Sequence, residues 1–210
     1  MSRASRAKYT GILFLSYLVV YWLIQYFVHT TEINYLTELD AAFPFMPEFV
    51  WIYHTLPLGI FMVMVIYIQK AELFMTTFWS VIVAAALMSV FHATIPAFYP
   101  REVIDVTNVH EFLVDFTRQI DQSNNTFPSA HVTFSVLMLL SVRKSIFAAA
   151  NPFVARFFLL WALGISMSTL AIKQHFIADV VSGWVTALLS FYIAKLFIGH
   201  QAQVKPIYNR

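Results

Sequence analysis

The sequence predicts an all-α polytopic membrane protein, a single domain of six transmembrane helices with extracytoplasmic interfacial helices. Two features of composition and one of patterning predict this class. Of the 210 residues, 60% are hydrophobic and only 11% are charged, and the mean hydropathy is +0.70. A soluble domain is typically about 45–50% apolar and about 25% charged. Six apolar runs come close to the roughly 20 residues that a helix needs to cross a bilayer.

The six predicted spans follow one another along a single domain, residues 1–210. The first has a positive flank like that of a signal peptide, but it is long for one and no A-x-A site follows, so we interpret it as an uncleaved span. The fourth is the shortest, and it spans a bilayer only if the charges at its end, Arg143 and Lys144, snorkel. The predicted spans are residues 10–28, 49–68, 72–91, 129–147, 153–172 and 177–198.

The distribution of positive charge predicts the orientation. With a cytoplasmic N-terminus, six spans place both termini inside. Of the thirteen Lys and Arg residues, only Arg101, Arg118 and Lys173 then fall outside, which leaves ten inside or at the inner boundary. Positive charge concentrates on the cytoplasmic side of membrane proteins. We expect a bacterial cytoplasmic membrane with a periplasmic or extracellular site, although a lumen-facing organelle protein would show the same pattern.

Two outer segments are long enough to carry structure of their own. In residues 29–48, Pro44 and Pro47 exclude a continuous helix. Between the third and fourth spans, apolar residues recur every three or four positions from Val103 to Ile120, which predicts a helix along the membrane surface. Such a helix serves either as a cap over the bundle or as a lid that controls substrate access.

Candidate chemistry lies with the histidines, because the chain has no cysteine for disulfides, thiolate metal sites or thiol nucleophiles. A lone histidine at a membrane boundary usually caps a helix or binds a carbonyl group. Spacing must therefore identify any catalytic one. Five of the seven histidines fall at the predicted outer boundary: His29, His92, His110, His131 and His175.

The stretch "STLAIKQHFIADVVSGW" places His175 four residues before Asp179, at the start of the sixth span. On a helix, two such residues share a face. The carboxylate can then hold one ring nitrogen and stabilise the positive charge that forms when the other nitrogen reacts. Ionisable residues at membrane depth are costly and usually functional. This position makes the two a candidate catalytic pair, whereas the His-x3-Asp spacing by itself also fits a structural contact.

The stretch "NNTFPSAH" opens the fourth predicted span. We expect Asn125 or Thr126 to cap this helix and Pro128 to lie in its first turn. The next three backbone N–H groups would then face out of the positive end of the helix, where phosphate binds well. An ordinary capped helix with an incidental histidine is the alternative interpretation. The three residues concerned are Ser129, Ala130 and His131.

Together, "PSAH" and the later S-x6-H-x3-D pattern resemble the motifs of the type 2 phosphatidic-acid phosphatase superfamily, over roughly Phe43 to Trp184. The resemblance implies that one histidine attacks phosphorus while another protonates the leaving oxygen, without a metal or other cofactor. The implied roles in this chain are His175 as nucleophile, Asp179 as its partner, His131 as general acid and Ser129 as a phosphate ligand, with Ala130 offering its backbone.

The chain departs from that superfamily's pattern at several positions. Thr169 stands where the phosphatases have an arginine, and Thr94 and Glu102 replace the lysine and proline of their first motif. Arg101 is kept as a candidate phosphate clamp, and Lys173 offers a second positive charge. This reduced pattern is similar to the inositolphosphotransferase branch, which includes the inositol phosphorylceramide and sphingomyelin synthases.

The resemblance implies an enzyme that hydrolyses a lipid phosphate or transfers a phospho-head group between lipids at the outer membrane face. The closest alternative is a plain phosphatase for phosphatidic acid or a prenyl pyrophosphate. The lost arginine and lysine keep a non-catalytic lipid-binding scaffold open as an alternative, and the intact His131, His175 and Asp179 argue against it. A transporter is disfavoured, because no predicted span carries a charge at its midpoint. The expected partners are a phospholipid substrate and the bilayer, not nucleic acid.

Overall fold

The computed structural model describes residues 1–28 and 33–204. These residues form helices joined by loops and contain no regular strand. The all-α prediction is therefore confirmed. Residues 29–32, with the predicted boundary histidine His29, and the tail from residue 205 lie outside the described part. The helices are α1 (Arg3–Phe27), α2 (Glu38–Ala42), α3 (Val50–Tyr53), α4 (Leu56–Phe61), α5 (Ala71–Thr94), α6 (Val109–Ile120), α7 (Ala130–Val142), α8 (Ile146–Ala150), α9 (Pro152–Ala171) and α10 (Ile177–Val204).

Within the described residues, five helical segments are long and apolar enough to cross a membrane. They correspond to the first, second, third, fifth and sixth predicted spans, with ends that move by a few residues. Such segments fit an integral membrane protein. Their bounds are Arg3–Phe27, Pro47–Tyr67, Ala71–Thr94, Pro152–Ala171 and Ile177–Gly199.

The second of these segments is a composite rather than a single α-helix. A 3₁₀ turn precedes α3, a break separates α3 from α4, and a π-helix, Met62–Tyr67, follows. The break falls just before Pro57, which lies in the first turn of α4 and has no N–H to donate. In the π-helix, the carbonyl group of Val65 accepts hydrogen bonds from Arg6 of α1, at 3.3 Å from Nε and 3.0 Å from Nη2. Buried Arg6 thus holds α1 against the second segment.

The fourth predicted span is shorter than expected. Helix α7 ends at Val142 rather than at residue 147, because Ser145 accepts a hydrogen bond from the Ala148 N–H and starts a new helix, α8. At 1.5 Å per residue its 13 residues extend about 20 Å, whereas a bilayer core is roughly 30 Å thick. Ten of the 13 residues are buried, and α7 packs on α4, α5, α9 and α10. It is the central helix of the bundle.

The predicted amphipathic helix also begins later than its pattern suggested. Helix α6 starts at Val109, because the side chain of Asn108 accepts the free N–H groups of its first turn. Val103, which the pattern included, is 96% exposed and lies outside the helix. Helix α6 packs on α3, and Phe116 and Ile120 from it help to line the cavity described below.

Two loops at the same end of the bundle pair with each other. Phe98 and Asn124 form an isolated antiparallel bridge, and the Tyr99 N–H donates to the Ser123 carbonyl at 2.9 Å. The first loop leads from α5 to Arg101, and the second leads from α6 into α7. Their pairing therefore brings Arg101 close to the start of α7.

Candidate active site

A cavity of about 400 Å³ lies at the end of the bundle where α7 begins and α9 ends. Its wall is formed by α1, α3, α4, α6 and α7, by the loops that precede α7 and by the connection from α9 to α10. Polar side chains gather at one end, while apolar residues of α1, α4 and α7 form most of the rest. The polar end contains Tyr53, Arg101, Asp121, Asn125, His131, Gln174 and His175.

His175 and Asp179 are in direct contact, but not as two residues on one helical face. Helix α10 begins at Ile177, so His175 precedes it and Asp179 lies in its first turn. The Nδ1 atom of His175 is 3.1 Å from Oδ2 of Asp179, which also accepts the Phe176 N–H at 3.0 Å. Because an ionised carboxylate only accepts, Nδ1 carries a proton, and in the neutral ring Nε2 then has the lone pair.

The start of α10 is capped by a residue from a distant part of the chain. Oδ1 of Asp40 accepts the Ile177 N–H at 2.7 Å. The other oxygen of the same carboxylate closes a capping box with Thr37 at the start of α2. Asp40 therefore connects α2 to the turn that precedes α10. No local pattern indicates this contact, since 137 positions separate the two partners.

Lys173 does not line the cavity that holds the two histidines. Its Nζ donates to the backbone carbonyl of Asp40 at 2.8 Å. Its backbone is left-handed, with φ 56°, and the next residue, Gln174, donates its N–H to the Thr169 carbonyl at 3.0 Å. This arrangement ends α9 and turns the chain toward His175. Partial burial lowers the pKa of Lys173, and the nearby charge of Asp40 opposes that shift.

His131 lies in the first turn of α7 and lines the same cavity as His175. Its ring stacks on Tyr53 of α3, with centroids 3.8 Å apart and planes inclined by 23°. The structure thus brings together the two histidines that the motifs single out, which lie in different elements and 44 positions apart. Ala130, beside His131, also lines the cavity.

The cap of α7 is Ser129, not Asn125 or Thr126, and Pro128 precedes the cap rather than lying in the first turn. Ser129 has the extended backbone of a cap residue, and its Oγ accepts the Val132 N–H at 3.4 Å. Its own N–H donates to the Asp179 carbonyl at 3.2 Å, and the residue is fully buried. Ser129 therefore joins α7 to α10 and does not line the cavity.

Arg101 lines the polar end of the cavity, held by neighbouring groups. Its Nη1 donates to the backbone carbonyls of Arg118, at 3.1 Å, and Asp121, at 2.6 Å, and its Nη2 donates to Oε1 of Gln174. Burial lowers the pKa of Arg101, but a guanidinium keeps its charge at physiological pH. The structure therefore places a fixed positive charge in the cavity that contains the two histidines.

Thr169, where the resembled phosphatases have an arginine, is fully buried and does not line the cavity. Its hydroxyl donates to the Ser166 carbonyl at 2.8 Å. Its own carbonyl accepts the N–H groups of both Gln174 and His175. At this position the chain has a backbone anchor for the turn that carries His175 instead of a cation.

Three further histidines, His54, His92 and His110, make contacts of the ordinary structural kind. Each bonds to a hydroxyl, an indole N–H or a carbonyl at normal distance. The pairs are His54 with Thr117 at 2.9 Å, His92 with the Pro128 carbonyl at 3.3 Å, and His110 with Trp51 at 2.9 Å.

The polar end has the groups to hold an anion, because Arg101 lies there with the imidazoles of His131 and His175. The Nδ1 atom of His175 is in contact with the Asp179 carboxylate, which leaves Nε2 for the anion. Among the described residues, no group of three or more His, Cys, Asp or Glu side chains is arranged to hold a metal ion. Sequence reasoning did not assign Asn125 and Gln174 to the site, nor Asp121, whose carboxylate accepts the Tyr21 hydroxyl. These residues become recognisable only once loops from different parts of the chain meet.

A family model described as the PAP2 superfamily matches residues 26–193. The matched range contains both histidine motifs and every residue at the polar end of the cavity, but only the last two residues of α1. No curated protein and no solved structure matches the chain at a significant level.

Proposed function

The chain belongs to the PAP2 superfamily, and from that premise we propose that it takes a phosphoryl or phospho-head group from a membrane lipid through a phosphohistidine at His175. PAP2 proteins are mostly phosphatases, and the long apolar helices agree with a phosphatase in a membrane. One observation carries the proposal: a single cavity contains His131, His175 and Arg101 at one end and an apolar wall beyond them.

The apolar wall supports a lipid rather than a small soluble ester as substrate. It follows α1 from Thr10 to Trp22, twelve residues along the chain and about 18 Å at the helical rise. Leu13, Phe14 and Leu18 contribute to it. A small phosphate ester would leave this surface uncovered, whereas the hydrocarbon chain of a lipid would bury it and gain roughly 25 cal/mol per Å².

In the first proposed step, Nε2 of His175 attacks phosphorus and the bond from phosphorus to the leaving oxygen breaks. Asp179 accepts the hydrogen bond from Nδ1–H and stabilises the positive charge that develops on the ring. His131 gives its proton to the leaving oxygen. Arg101 stabilises the negative charge on the phosphoryl oxygens. The products are a released alcohol and phospho-His175.

In the second proposed step, neutral His131 takes a proton from the acceptor, whose oxygen attacks phosphorus. The P–N bond breaks, its electron pair returns to Nε2 of His175, and the starting protonation states are restored. Two-step transfer replaces one difficult displacement with two easier ones. If water is the acceptor, the enzyme is a phosphatase. If a lipid or polyol hydroxyl is the acceptor, it is a transferase.

We favour a transferase of the inositolphosphotransferase type, because Thr94 and Thr169 stand where phosphatases have lysine and arginine. Plain lipid phosphate hydrolysis is the closest alternative. The positive-inside distribution supports an outward-facing site, with both termini in the cytoplasm, and a bacterial cytoplasmic membrane is the proposed location. A non-catalytic lipid-binding member remains the rival from another class, since it would use the same cavity.

Mass spectrometry of lipid products tests the proposal. Purified wild type and the His175→Ala variant are incubated with lipid phosphates and phospholipids, with and without diacylglycerol, ceramide and inositol. Free phosphate formed only by wild type supports a phosphatase. A new phospholipid that needs both wild type and an acceptor supports a transferase. Identical products from the two proteins would contradict the phosphohistidine scheme, and lipid retention without turnover would identify a non-catalytic member.

A further inference from the structure

We propose that Asn125 and Gln174 are substrate-binding residues whose side-chain amides complete a phosphate cradle with Arg101. The inference rests on the proposed function, and it adds two residues to which no motif assigns a role. Both line the same cavity as His131 and His175. The cradle takes a phosphate group of a lipid, and free inorganic phosphate presents the same chemistry.

Asn125 is a buried amide without a partner. It is only 5% exposed, and neither its nitrogen nor its oxygen has a hydrogen-bond partner among the described residues. An unsatisfied buried polar group destabilises a fold, so a binding site for a polar ligand is a physical reason to keep one. The neighbouring Asn124 differs, because its Nδ2 donates to the Val28 carbonyl at 2.8 Å and it does not line the cavity.

The backbone of Asn125 is also unusual, with φ at +81°. Only glycine enters this left-handed region freely, and asparagine is among the few other residues that tolerate it. The conformation belongs to the loop that pairs with the Tyr99 loop and then enters α7. A strained residue with an unsatisfied amide at a cavity wall is typical of a binding site.

Gln174 provides the second amide, and the oxygen of this amide already has a hydrogen-bond partner. Its Oε1 accepts the hydrogen bond from Nη2 of Arg101, while its Nε2 has no partner in the described part of the chain. The side chain is 2% exposed. Because the oxygen is occupied by the guanidinium, the amide presents N–H donors to the cavity. Gln174 therefore orients Arg101 and adds donors beside it.

A third N–H donor without a partner, on Arg101, also fits a phosphate ligand. Nε of Arg101 is buried and has no partner among the described residues. Together, Arg101, Gln174 and Asn125 offer guanidinium and amide N–H donors at one end of a cavity. Phosphate oxygens are strong acceptors, and hydrogen bonds to a charged partner are about twice as strong as neutral ones. The two amides thus provide donors that Thr169 and Thr94 do not supply, because both threonine hydroxyls donate to backbone carbonyls and neither residue lines the cavity.

Measurement of phosphate binding together with catalysis tests the cradle. Inorganic phosphate binding to detergent-solubilised protein is measured by calorimetry, and KM and kcat are measured with a lipid phosphate. The variants are Asn125→Gly, which keeps the left-handed backbone accessible, Asn125→Asp, which puts a negative charge in the same space, and Gln174→Met, which keeps the length and removes the amide. We expect phosphate affinity to fall roughly tenfold or more in each and KM to rise, with the largest loss in Asn125→Asp.

The matched control is Asn124→Ala, which removes a structural hydrogen bond next to the site. It should lower the unfolding temperature and leave phosphate affinity unchanged. If the variants at 125 and 174 keep wild-type phosphate affinity while His175→Ala is inactive, the cradle is wrong and the phosphohistidine scheme stands. If wild type neither binds phosphate nor differs from His175→Ala in turnover, the proposed function is wrong and the cradle with it.

Discussion

The Nδ1 atom of His175 lies 3.1 Å from Oδ2 of Asp179, and the same oxygen accepts the Phe176 N–H at 3.0 Å. The Asp179 carboxylate therefore orients the imidazole and caps α10, the helix in whose first turn Asp179 lies. Asp40 holds the other side of this helix start through the Ile177 N–H. These contacts fix the start of α10 next to His175, which is the support that the proposed nucleophile requires.

Asp179→Asn should lower kcat on a lipid phosphate by roughly 10²- to 10⁴-fold and change KM little. The amide keeps the shape of the carboxylate but not its charge, so the developing imidazolium loses its counter-ion. Steady-state kinetics of the purified variant checks this. Asp105→Asn is the control, because Asp105 is exposed in the segment between α5 and α6. A kcat loss of similar size in both variants would mean that the pairing with His175 is not the cause.

His131→Gln should show a loss that depends on the leaving group. For a lipid phosphate, whose alkoxide leaves poorly, removal of the general acid should cost about 10²- to 10⁴-fold in kcat. For p-nitrophenyl phosphate the loss should be much smaller, because that phenolate leaves without a proton. Parallel assays of the two substrates measure the difference. Equal losses for both would indicate that His131 serves another role.

Leu13→Trp should select against long-chain substrates. Leu13 lies on the apolar wall of the cavity, and an indole there would fill the space for a hydrocarbon chain. We expect kcat/KM for a long-chain lipid phosphate to fall roughly tenfold or more, while p-nitrophenyl phosphate is turned over as before. Ile12→Trp is the control, since Ile12 is 50% exposed and does not line the cavity. Unchanged chain-length preference in Leu13→Trp would place the lipid elsewhere.

Gly183→Ala should disturb the contact between α7 and α10. An added Cβ would lie 3.0 Å from Cβ of Val132 and 3.1 Å from the Ser129 carbonyl oxygen. We expect a loss of about 1–3 kcal/mol in the free energy of unfolding and a lower kcat, because this contact fixes His131 relative to Asp179. Unfolding in detergent and activity assays measure both effects.

Gly199→Ala is the matched control for that substitution. It lies in the same helix, with nothing within 4 Å of its added Cβ. Alanine is the better helix former by about 1 kcal/mol in soluble helices, so stability should hold or rise slightly. If Gly183→Ala behaves like this control, close packing of α7 and α10 is not needed for the site.

The fold was largely predictable because membrane composition dominates it. Apolar runs located five spanning helices to within a few residues at most ends. The errors fall where a polar side chain decides a helix end. Ser145 ends the α7 segment early, and Asn108 delays the start of α6. Such capping depends on the local backbone, which hydropathy does not report.

The site was predictable only where its residues are close in sequence. The spacing predicted the contact of His175 with Asp179. It also predicted that both residues lie on one face of a helix, whereas His175 precedes α10. Asp40 and Gln174 had no local signal, because each bonds to a residue far along the chain, and Asn125 was considered only as a helix cap. For the same reason Lys173 was expected at the phosphate, whereas its ammonium binds a backbone carbonyl.

Rapid quenching of the enzyme during turnover of a radiolabelled lipid phosphate shows whether a covalent intermediate forms. We expect label that is stable in alkali and labile in acid, located by peptide mapping at His175 and missing from His175→Ala, which should also lack turnover. Turnover by His175→Ala at the wild-type rate, or label on another residue, would contradict the proposed mechanism.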